Sequence, residues 1–293
     1  IPGIISGNGA SGITIEGCAI KHHGNYAVQF ARGCKKIRIA GNEISDMGAG
    51  GVRIGAPAEP KSPEEMTCET WTWNKSYGKA LMEDKEALKW IDIIVVHAYT
   101  IEYAVVPSDT KFEALQMKQV YEKYKKSGKE IWQTEVCSWY DHFQYKVVIA
   151  ESIFNSLYYG NASAWLTWTV SCDGSMPGYY LMNHEEKGPL YYGVRQFSQY
   201  VLPGAKRVYS SSSNDELLAI AFKHPEDKTF TMVLINKAYV PMNVKLNGNV
   251  KTEMNMVMTT DTEDAVSTGK IKSSGSKTTI PPRSIVTLQG TYK

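Results

Sequence analysis

Three short apolar stretches set the fold of the central part of this chain: residues 91–97 read IDIIVVH, residues 130–135 read EIWQTE and residues 162–169 read ASAWLTWT. They are nearly continuously apolar, as strands buried on both faces of a parallel sheet are. Segments with helical spacing are predicted near residues 78–90, 111–127, 142–159 and 189–201. This alternation predicts parallel βα units with right-handed crossovers.

The helix over 111–127 has the strongest local signals. Thr110 and Glu113 have the spacing of an N-terminal capping box, in which each side chain would bond the backbone N–H of the other. Gly128 supplies a residue that readily adopts the left-handed conformation found just after many helices. We therefore expect this helix to begin near Thr110 and to end before Gly128.

The carboxyl ends of the three strands hold the candidate functional residues, because chemistry in parallel α/β folds lies at these ends. A carboxylate that closes a buried strand beside flat aromatic rings suits a site that cleaves sugars, with one oxygen nucleophile and surfaces for pyranose faces. The other interpretation of such a carboxylate is a strand-end salt bridge. The candidates are Glu135 as nucleophile and, as substrate-binding residues, His97, Tyr99, Trp139, Trp165 and Trp168.

Residues 1–60 contain an internal repeat. The stretch ITIEGCAI at 13–20 aligns with IRIAGNEI at 37–44, and the same shift of 24 pairs Gly24 with Gly48. Short alternating strands between glycine corners resemble the right-handed parallel β-helix of pectate-lyase-like proteins. Only two complete coils are present, whereas about three or more repeats are normally needed to bury a core. Asn42 aligns with Cys18, so we expect it to stack between coils.

Residues 204–293 predict an antiparallel β-sandwich. Short alternating strands are expected at 217–223, 229–236, 242–246, 278–281 and 284–289, with Asn-Gly, Ser-rich and Pro-rich turns between them. A Pro-rich stretch at 57–63 marks the other boundary, where the 24-residue period stops.

Residues from about 65 to 290 resemble the second half of a glycoside hydrolase of family 30, a retaining (β/α)8-barrel enzyme with a β-sandwich side domain. The three apolar stretches match the sixth, seventh and eighth barrel strands, and TCETW at 67–71 falls near the fifth. YVLPGAKRV at 200–208 and PPRSIVTL at 281–288 are similar to the side domain. The resemblance implies that Glu135 is the nucleophile, that Tyr99 hydrogen-bonds near it and that Trp168 floors the sugar site.

The resemblance also implies that the first half of the barrel is missing from this sequence. The family's acid/base is a Glu that follows Asn at the end of strand four, and the repeat segment occupies the place of strands one to four. The expected fold is therefore mixed and multi-domain: a parallel β-helix segment at 1–60, half of a (β/α)8 barrel at 61–203 and a β-sandwich at 204–293. Glu69, Glu43 and Asp46 are acid/base candidates without motif support. A second chain could close the barrel, or the edge of the repeat segment could cover the exposed strands; we expect one of these arrangements, and a homodimer is the partner that we predict.

The amino-acid composition limits the classes of partner that we expect for this protein. Lys and Arg total 32 against 30 for Asp and Glu, with no dense basic run, which argues against nucleic acid. No run of 18 apolar residues suggests a membrane span. Five cysteines without CxxC spacing predict no metal site, and no cofactor is expected. The 18 Tyr and 7 Trp suit a saccharide-binding surface. We expect a secreted or extracytoplasmic protein whose signal peptide is not in this sequence.

Three interpretations of function remain open. The first is a retaining hydrolase of a β-linked plant polysaccharide such as xylan or β-glucan, slowed or dependent on oligomerisation because the acid/base half is missing. The second is a non-catalytic carbohydrate-binding protein that keeps the aromatic surface. The third is a chimera of two carbohydrate-active genes joined near residues 57–63, for example in assembled environmental DNA.

Overall fold

A computed structural model describes the chain in two compact units, Ile1–Glu69 and Thr70–Lys293. The described residues are 3–48, 50–54, 82–97, 110–136, 145–171, 180–183, 186–188, 190–248, 253–260, 262–272 and 275–292. The proposed three-part division at residues 60 and 203 stays a prediction.

The first unit is built from parallel ladders between successive repeats. Its strands are β1 (Ile5–Gly7), β2 (Thr14–Glu16), β3 (Ala19–His23), β4 (Tyr26–Phe30), β5 (Arg38–Ala40), β6 (Glu43–Met47) and β7 (Gly50–Ile54). β2 pairs with β5, β3 with β6 and β4 with β7, each at an offset of 24 residues. β1 pairs with β4 at an offset of 23. The register of the first three pairs is thus the one that the sequence period predicts, and the β1–β4 pair differs from it by one residue.

The backbone corners of this unit repeat with the same period. Left-handed residues recur 24 positions apart at four corners of each coil: Gly9 and Gly33, Gly12 and Lys36, Gly17 and Gly41, and His22 and Asp46. Glycine adopts this conformation without steric cost, which explains its use at most of these corners. Asn42 stacks between coils as expected, because its Oδ1 accepts from the Cys18 N–H at 2.9 Å.

The interior of the first unit is small. Ile15, Ile20, Val28 and Phe30 are buried in it, and Ile37 and Ile39 pack against them. Ile13, which the alternation predicts on the same face, is instead 38% exposed, because it precedes strand β2.

The second unit begins with a parallel βα arrangement. Its helices are α1 (Lys85–Lys89), α2 (Thr110–Tyr124), α3 (Tyr145–Tyr158) and α4 (Tyr191–Ser198). Its strands are β8 (Ile93–His97), β9 (Glu130–Glu135) and β10 (Ala164–Trp165), followed by the small hairpin β11 (Met182–Asn183) and β12 (Glu186–Lys187). The three parallel strands lie in the order β10-β9-β8. A short 3-10 turn over Lys125–Ser127 follows α2, and Gly128 then adopts φ 69°, the predicted left-handed stop.

Helices α2 and α3 cover one face of this three-stranded sheet. Ile94, Val96 and Ile131 of the sheet pack with Met117 of α2 and Ile149 of α3 in one buried cluster. The predicted strand order and the predicted helices are therefore present in the described residues. The assignments to half of a (β/α)8 barrel, and of the first unit to the right-handed β-helix class, stay proposals.

The predicted capping box at the start of α2 is wrong. Glu113 is fully buried, and its carboxylate accepts hydrogen bonds from Ser152 Oγ at 2.5 Å and Asn155 Nδ2 at 2.9 Å, both on α3. Asn155 Nδ2 also donates to the Thr110 carbonyl at 3.0 Å. The side chain joins two helices because α3 packs against the first turn of α2 and supplies the partners of Glu113.

The C-terminal part is an antiparallel β-sandwich, as expected. Its strands are β13 (Lys206–Val208), β14 (Leu217–His224), β15 (Thr229–Asn236), β16 (Met242–Lys245), β17 (Met254–Thr259), β18 (Val266–Ile271), β19 (Lys277–Ile280) and β20 (Ser284–Thr291). Six of them form the sheet β13-β14-β15-β20-β17-β18, and β16 pairs with β19. Strands β13, β17 and β18 were not among the predicted strands.

Helices α3 and α4 pack on this sandwich. Ile153 and Phe154 of α3 and Phe197 of α4 share a buried cluster with residues of β14, β15 and β20. Within that apolar interface, Gln196 donates to Thr259 Oγ1 at 2.7 Å, and Thr287 Oγ1 donates to Gln196 Oε1 at 2.6 Å. Burial and these hydrogen bonds attach the last helix firmly to the sandwich.

Candidate active site

An irregularity in β9 determines where the candidate nucleophile points. The β8–β9 ladder is regular up to Val96 opposite Gln133, and the next pair is His97 opposite Glu135. Strand β9 thus contains one extra residue, Thr134, which is the pattern of a β-bulge.

The bulge moves Glu135 to the other face of the sheet. Ile131 and Gln133 are buried under the helices, so strict alternation would place Glu135 there as well. Because of the extra residue, Glu135 instead lies on the face of its ladder partner His97. Val136 then returns to the helix side, where it is fully buried in the core cluster.

The two polar side chains at this point are close together. His97 Nε2 lies 3.8 Å from Glu135 Oε2, and their side chains are 18% and 29% exposed. The contact is longer than a hydrogen bond, so charge attraction couples the pair whenever the imidazole is protonated. Both groups keep access to solvent, which a residue that meets substrate requires.

Strand β10 continues past its two laddered residues and bonds to the backbone of β9 on both sides of Glu135. The Leu166 N–H donates to the Gln133 carbonyl at 2.9 Å, and the Trp168 N–H donates to the Val136 carbonyl at 2.9 Å. Leu166 and Trp168 are 44% and 48% exposed. The peptide bond between Trp168 and Thr169 is cis. Leu166 was not predicted, although its spacing of two from Trp168 is the signal that points to it.

Trp165 does not join this group. It pairs with Gln133, on the helix-covered face, and packs against two core clusters. Its side chain also lines a cleft of about 600 Å³ between α3, α4 and the start of the sandwich. The predicted role of Trp165 in substrate binding is therefore corrected: the structure makes it a packing residue on the face opposite Glu135.

The remaining sequence candidates fall elsewhere. Glu69, Tyr99 and Trp139 lie outside the described residues. Glu43 and Asp46 belong to the first unit, where Glu43 pairs with Lys21 and Asp46 Oδ2 lies 2.6 Å from His22 Nδ1. Both are engaged with the neighbouring coil, as expected of residues at a stacked position.

Two searches of the described ranges gave negative results. They contain no group of three or more His, Cys, Asp or Glu side chains arranged to hold a metal ion. They also contain no helix long and apolar enough to span a bilayer.

A buried pair of carboxyl groups behind the sheet was missed by the sequence reasoning. Burial raises the pKa of Glu113 to about 7, while its bonds from Ser152 and Asn155 oppose the shift and the charge of Glu151 adds to it. Burial also raises the pKa of Glu151, opposed by Lys237. Glu113 lies between α2 and α3, and Glu151 on α3 lies near Lys237 of the sandwich, which indicates a structural role for both.

The sandwich matches a known family. Residues 204–288 match the family model described as the glycosyl hydrolase family 30 beta sandwich domain. The match begins at the residue where the predicted sandwich begins.

Similar proteins were found by sequence and by fold. The glucuronoxylanase XynC of Bacillus subtilis is 24% identical over 184 residues, which cover 60% of this chain and 39% of that protein. A family 30 endoxylanase from Clostridium papyrosolvens has a TM-score of 0.63 at 21% identity and covers 82% of this chain and 56% of its own. A family 30, subfamily 8 xylanase from Clostridium acetobutylicum has a TM-score of 0.62 at 19% identity, with coverages of 77% and 55%.

These relatives are longer than the matched chain. The present chain spans 39% of the curated relative and 56% and 55% of the two solved xylanases. At identities below 25%, the likeness to the solved structures concerns the fold. The family match itself covers residues 204–288, the sandwich.

Proposed function

We propose that the chain is a glycoside hydrolase of a β-linked plant polysaccharide such as xylan or β-glucan, with Glu135 as the nucleophile of a retaining mechanism. The observation that supports the proposal is the β9 bulge, where Glu135 lies 3.8 Å from His97 and the backbone N–H of the exposed Trp168 donates to Val136, the residue after Glu135. A solvent-accessible carboxylate beside an exposed indole offers a nucleophile and a stacking surface for a sugar ring.

In this mechanism a carboxylate oxygen of Glu135 attacks the anomeric carbon and forms a glycosyl ester as the bond to the leaving oxygen breaks. The leaving oxygen then needs a proton, which retaining enzymes supply from a second carboxyl group about 5–5.5 Å from the first. The described carboxyl ends of β8, β9 and β10 carry one carboxylate, Glu135. Glu69, Glu43 and Asp46 remain candidates for the donor.

The need for a second carboxyl group also supports a homodimer. The stretch that continues β10 carries two exposed apolar side chains, Leu166 and Val170, which are 44% and 60% exposed. A second copy that covered these side chains would bring another Glu135 towards the same rim. Light scattering at micromolar concentration tests this part: the expected mass is twice 32.7 kDa, and a stable monomer contradicts it.

The proposed substrate and the proposed cellular location are inferred from the descriptions of the similar proteins. The matched proteins are described as a glucuronoxylanase, an endoxylanase and a xylanase, so xylan is the first substrate to test. A further structural neighbour from Bacteroides fragilis, with a TM-score of 0.56, is described as an exported protein. We carry both properties over as proposals: action on xylan outside the cytoplasm.

A second candidate function follows from the one carboxylate that the described carboxyl ends of β8, β9 and β10 carry. A protein with the aromatic surface and no proton donor would bind saccharides without cleaving them, as would a chimera that lost the donor. Acid help contributes about 10²–10⁴-fold to such reactions. Hydrolysis of natural xylan therefore requires a proton donor, whereas substrates with activated leaving groups test the nucleophile without one.

The decisive experiment uses a 2-deoxy-2-fluoro xylobioside with a dinitrophenyl leaving group, which departs as an anion and needs no donated proton. Peptide mass analysis is expected to find the sugar on Glu135, and Glu135→Gln is expected to abolish labelling. Glu130→Gln is the control, because Glu130 is an exposed carboxylate at the other end of the same strand, bonded to Trp132 and Ser163. Wild-type protein that binds xylooligosaccharides but is never labelled supports the binding protein instead.

A further inference from the structure

The pairing of β9 with each of its two neighbouring strands shows the same extra residue. On one side the ladder passes from Val96–Gln133 to His97–Glu135. On the other side the bonded amides are two residues apart, at Leu166 and Trp168, while the carbonyls that they meet are three apart. Thr134 is thus bulged out relative to both neighbouring strands, which makes the irregularity a property of the whole sheet.

Two buried polar groups at this bulge have no hydrogen-bond partner within the described residues. Gln133 is fully buried, and its Nε2 has no hydrogen-bond partner among the described residues. The buried hydroxyl of Thr134 likewise has none within that part of the chain. Buried polar groups in native proteins are nearly always bonded, so two exceptions at consecutive residues require an explanation. Bulges next to active sites often re-aim a side chain.

One side-chain contact connects the bulge to the sugar-binding face. The Leu166 N–H, which donates to the Gln133 backbone carbonyl at 2.9 Å, also lies 3.4 Å from the side-chain carbonyl oxygen of Gln133. Gln133 therefore holds β10 with two acceptors at the last regular position before the bulge. Two residues further along β10, Trp168 reaches Val136, the residue after Glu135.

We propose that Gln133 is a positioning residue, which anchors β10 to β9 at the bulge and thereby sets Trp168 beside Glu135. Its side chain lies on the helix-covered face and does not meet substrate; it acts through Leu166 and the strand beyond it. The inference rests on the proposed function for its catalytic consequence, whereas its structural part concerns only the placement of Trp168.

Gln133→Met tests the proposal, because Met has similar length and volume and lacks both the carbonyl acceptor and the unpartnered N–H groups. Gln116→Met is the matched control: Gln116 lies on α2, is 4% exposed and also has an Nε2 without a partner in the described structure. Both variants are expected to melt at or above the wild-type temperature. Only Gln133→Met is expected to slow labelling of Glu135 by the fluoro sugar, by about tenfold or more, since small misplacements of reacting groups are costly.

A second readout keeps the structural part testable by itself. Protein labelled with 5-fluorotryptophan, with the Trp168 resonance assigned through Trp168→Phe, is expected to show a shifted or broadened Trp168 signal in Gln133→Met and an unchanged one in Gln116→Met. Wild-type labelling rates in Gln133→Met, or equal losses in both variants, overturn the positioning role. If the wild type is never labelled, the proposed function fails, and an unmoved Trp168 resonance in Gln133→Met then overturns the positioning role separately.

Discussion

Replacing Glu113 by glutamine is expected to change how the stability of the protein depends on pH. Burial raises the pKa of this carboxyl group from 4.5 to about 7, so the folded state holds the proton more tightly than the unfolded state does. A group of this kind contributes stability that is fully present below pH 4.5 and is lost as the pH rises through about 7. The substituted amide cannot ionise, and it keeps the size and most of the hydrogen-bonding capacity of the protonated acid.

The magnitude follows from the two pKa values. Between pH 5 and pH 8 the wild type is expected to lose roughly 2–3 kcal/mol of unfolding free energy relative to Glu113→Gln. Urea unfolding curves at several pH values, followed by circular dichroism, measure this difference. Glu122→Gln on the exposed side of the same helix, where Glu122 pairs with Lys125, is the control and is expected to run parallel to the wild type. Parallel curves for wild type and Glu113→Gln would refute the reasoning.

Three further predictions concern other parts of the chain. Gly48→Ala is expected to disrupt the first unit, because the added Cβ would lie 2.5 Å from the Gly24 carbonyl oxygen, whereas Gly24→Ala meets nothing within 4 Å; limited proteolysis compares the two. Gln196→Ala is expected to lower the unfolding free energy by about 2 kcal/mol, since it removes two buried side-chain hydrogen bonds and leaves a cavity, while Thr287 keeps its bond to the backbone carbonyl of residue 196 and Thr259 its bond from Ala265; urea unfolding measures it. Trp168→Ala is expected to weaken xylooligosaccharide binding about three- to tenfold in calorimetry, and Trp90→Ala, which removes an 81% exposed indole elsewhere, is expected to leave it unchanged.

The features predicted correctly from sequence are those that depend on neighbours along the chain or on a repeated unit. The 24-residue period predicts the register of β2 with β5 and of β3 with β6, because identical units stack with equivalent residues in contact. Gly128 ends the helical segment after α2 because its own backbone freedom suffices for the turn. The apolar run before Glu135 likewise predicts a strand that ends at this residue.

The predictions that failed depend on partners distant in sequence. Glu113 was expected to bond within its own helix start, yet its partner Ser152 is 39 residues away on α3. Trp165 was expected beside the sugar, yet the pairing with Gln133 places it under the helices. Neither the local spacing of residues nor their type predicts how α3 packs on the sheet.

By itself the sequence determined that a strand would end in a carboxylate with aromatic residues nearby, because composition and periodicity are properties of the chain. Only the tertiary structure decided which way Glu135 faces. Alternation along β9 would have placed it under α2 and α3, and the extra residue at Thr134 places it beside His97. The physical reason is that a bulge is defined by hydrogen bonds to two neighbouring strands, which exist only once the sheet has formed.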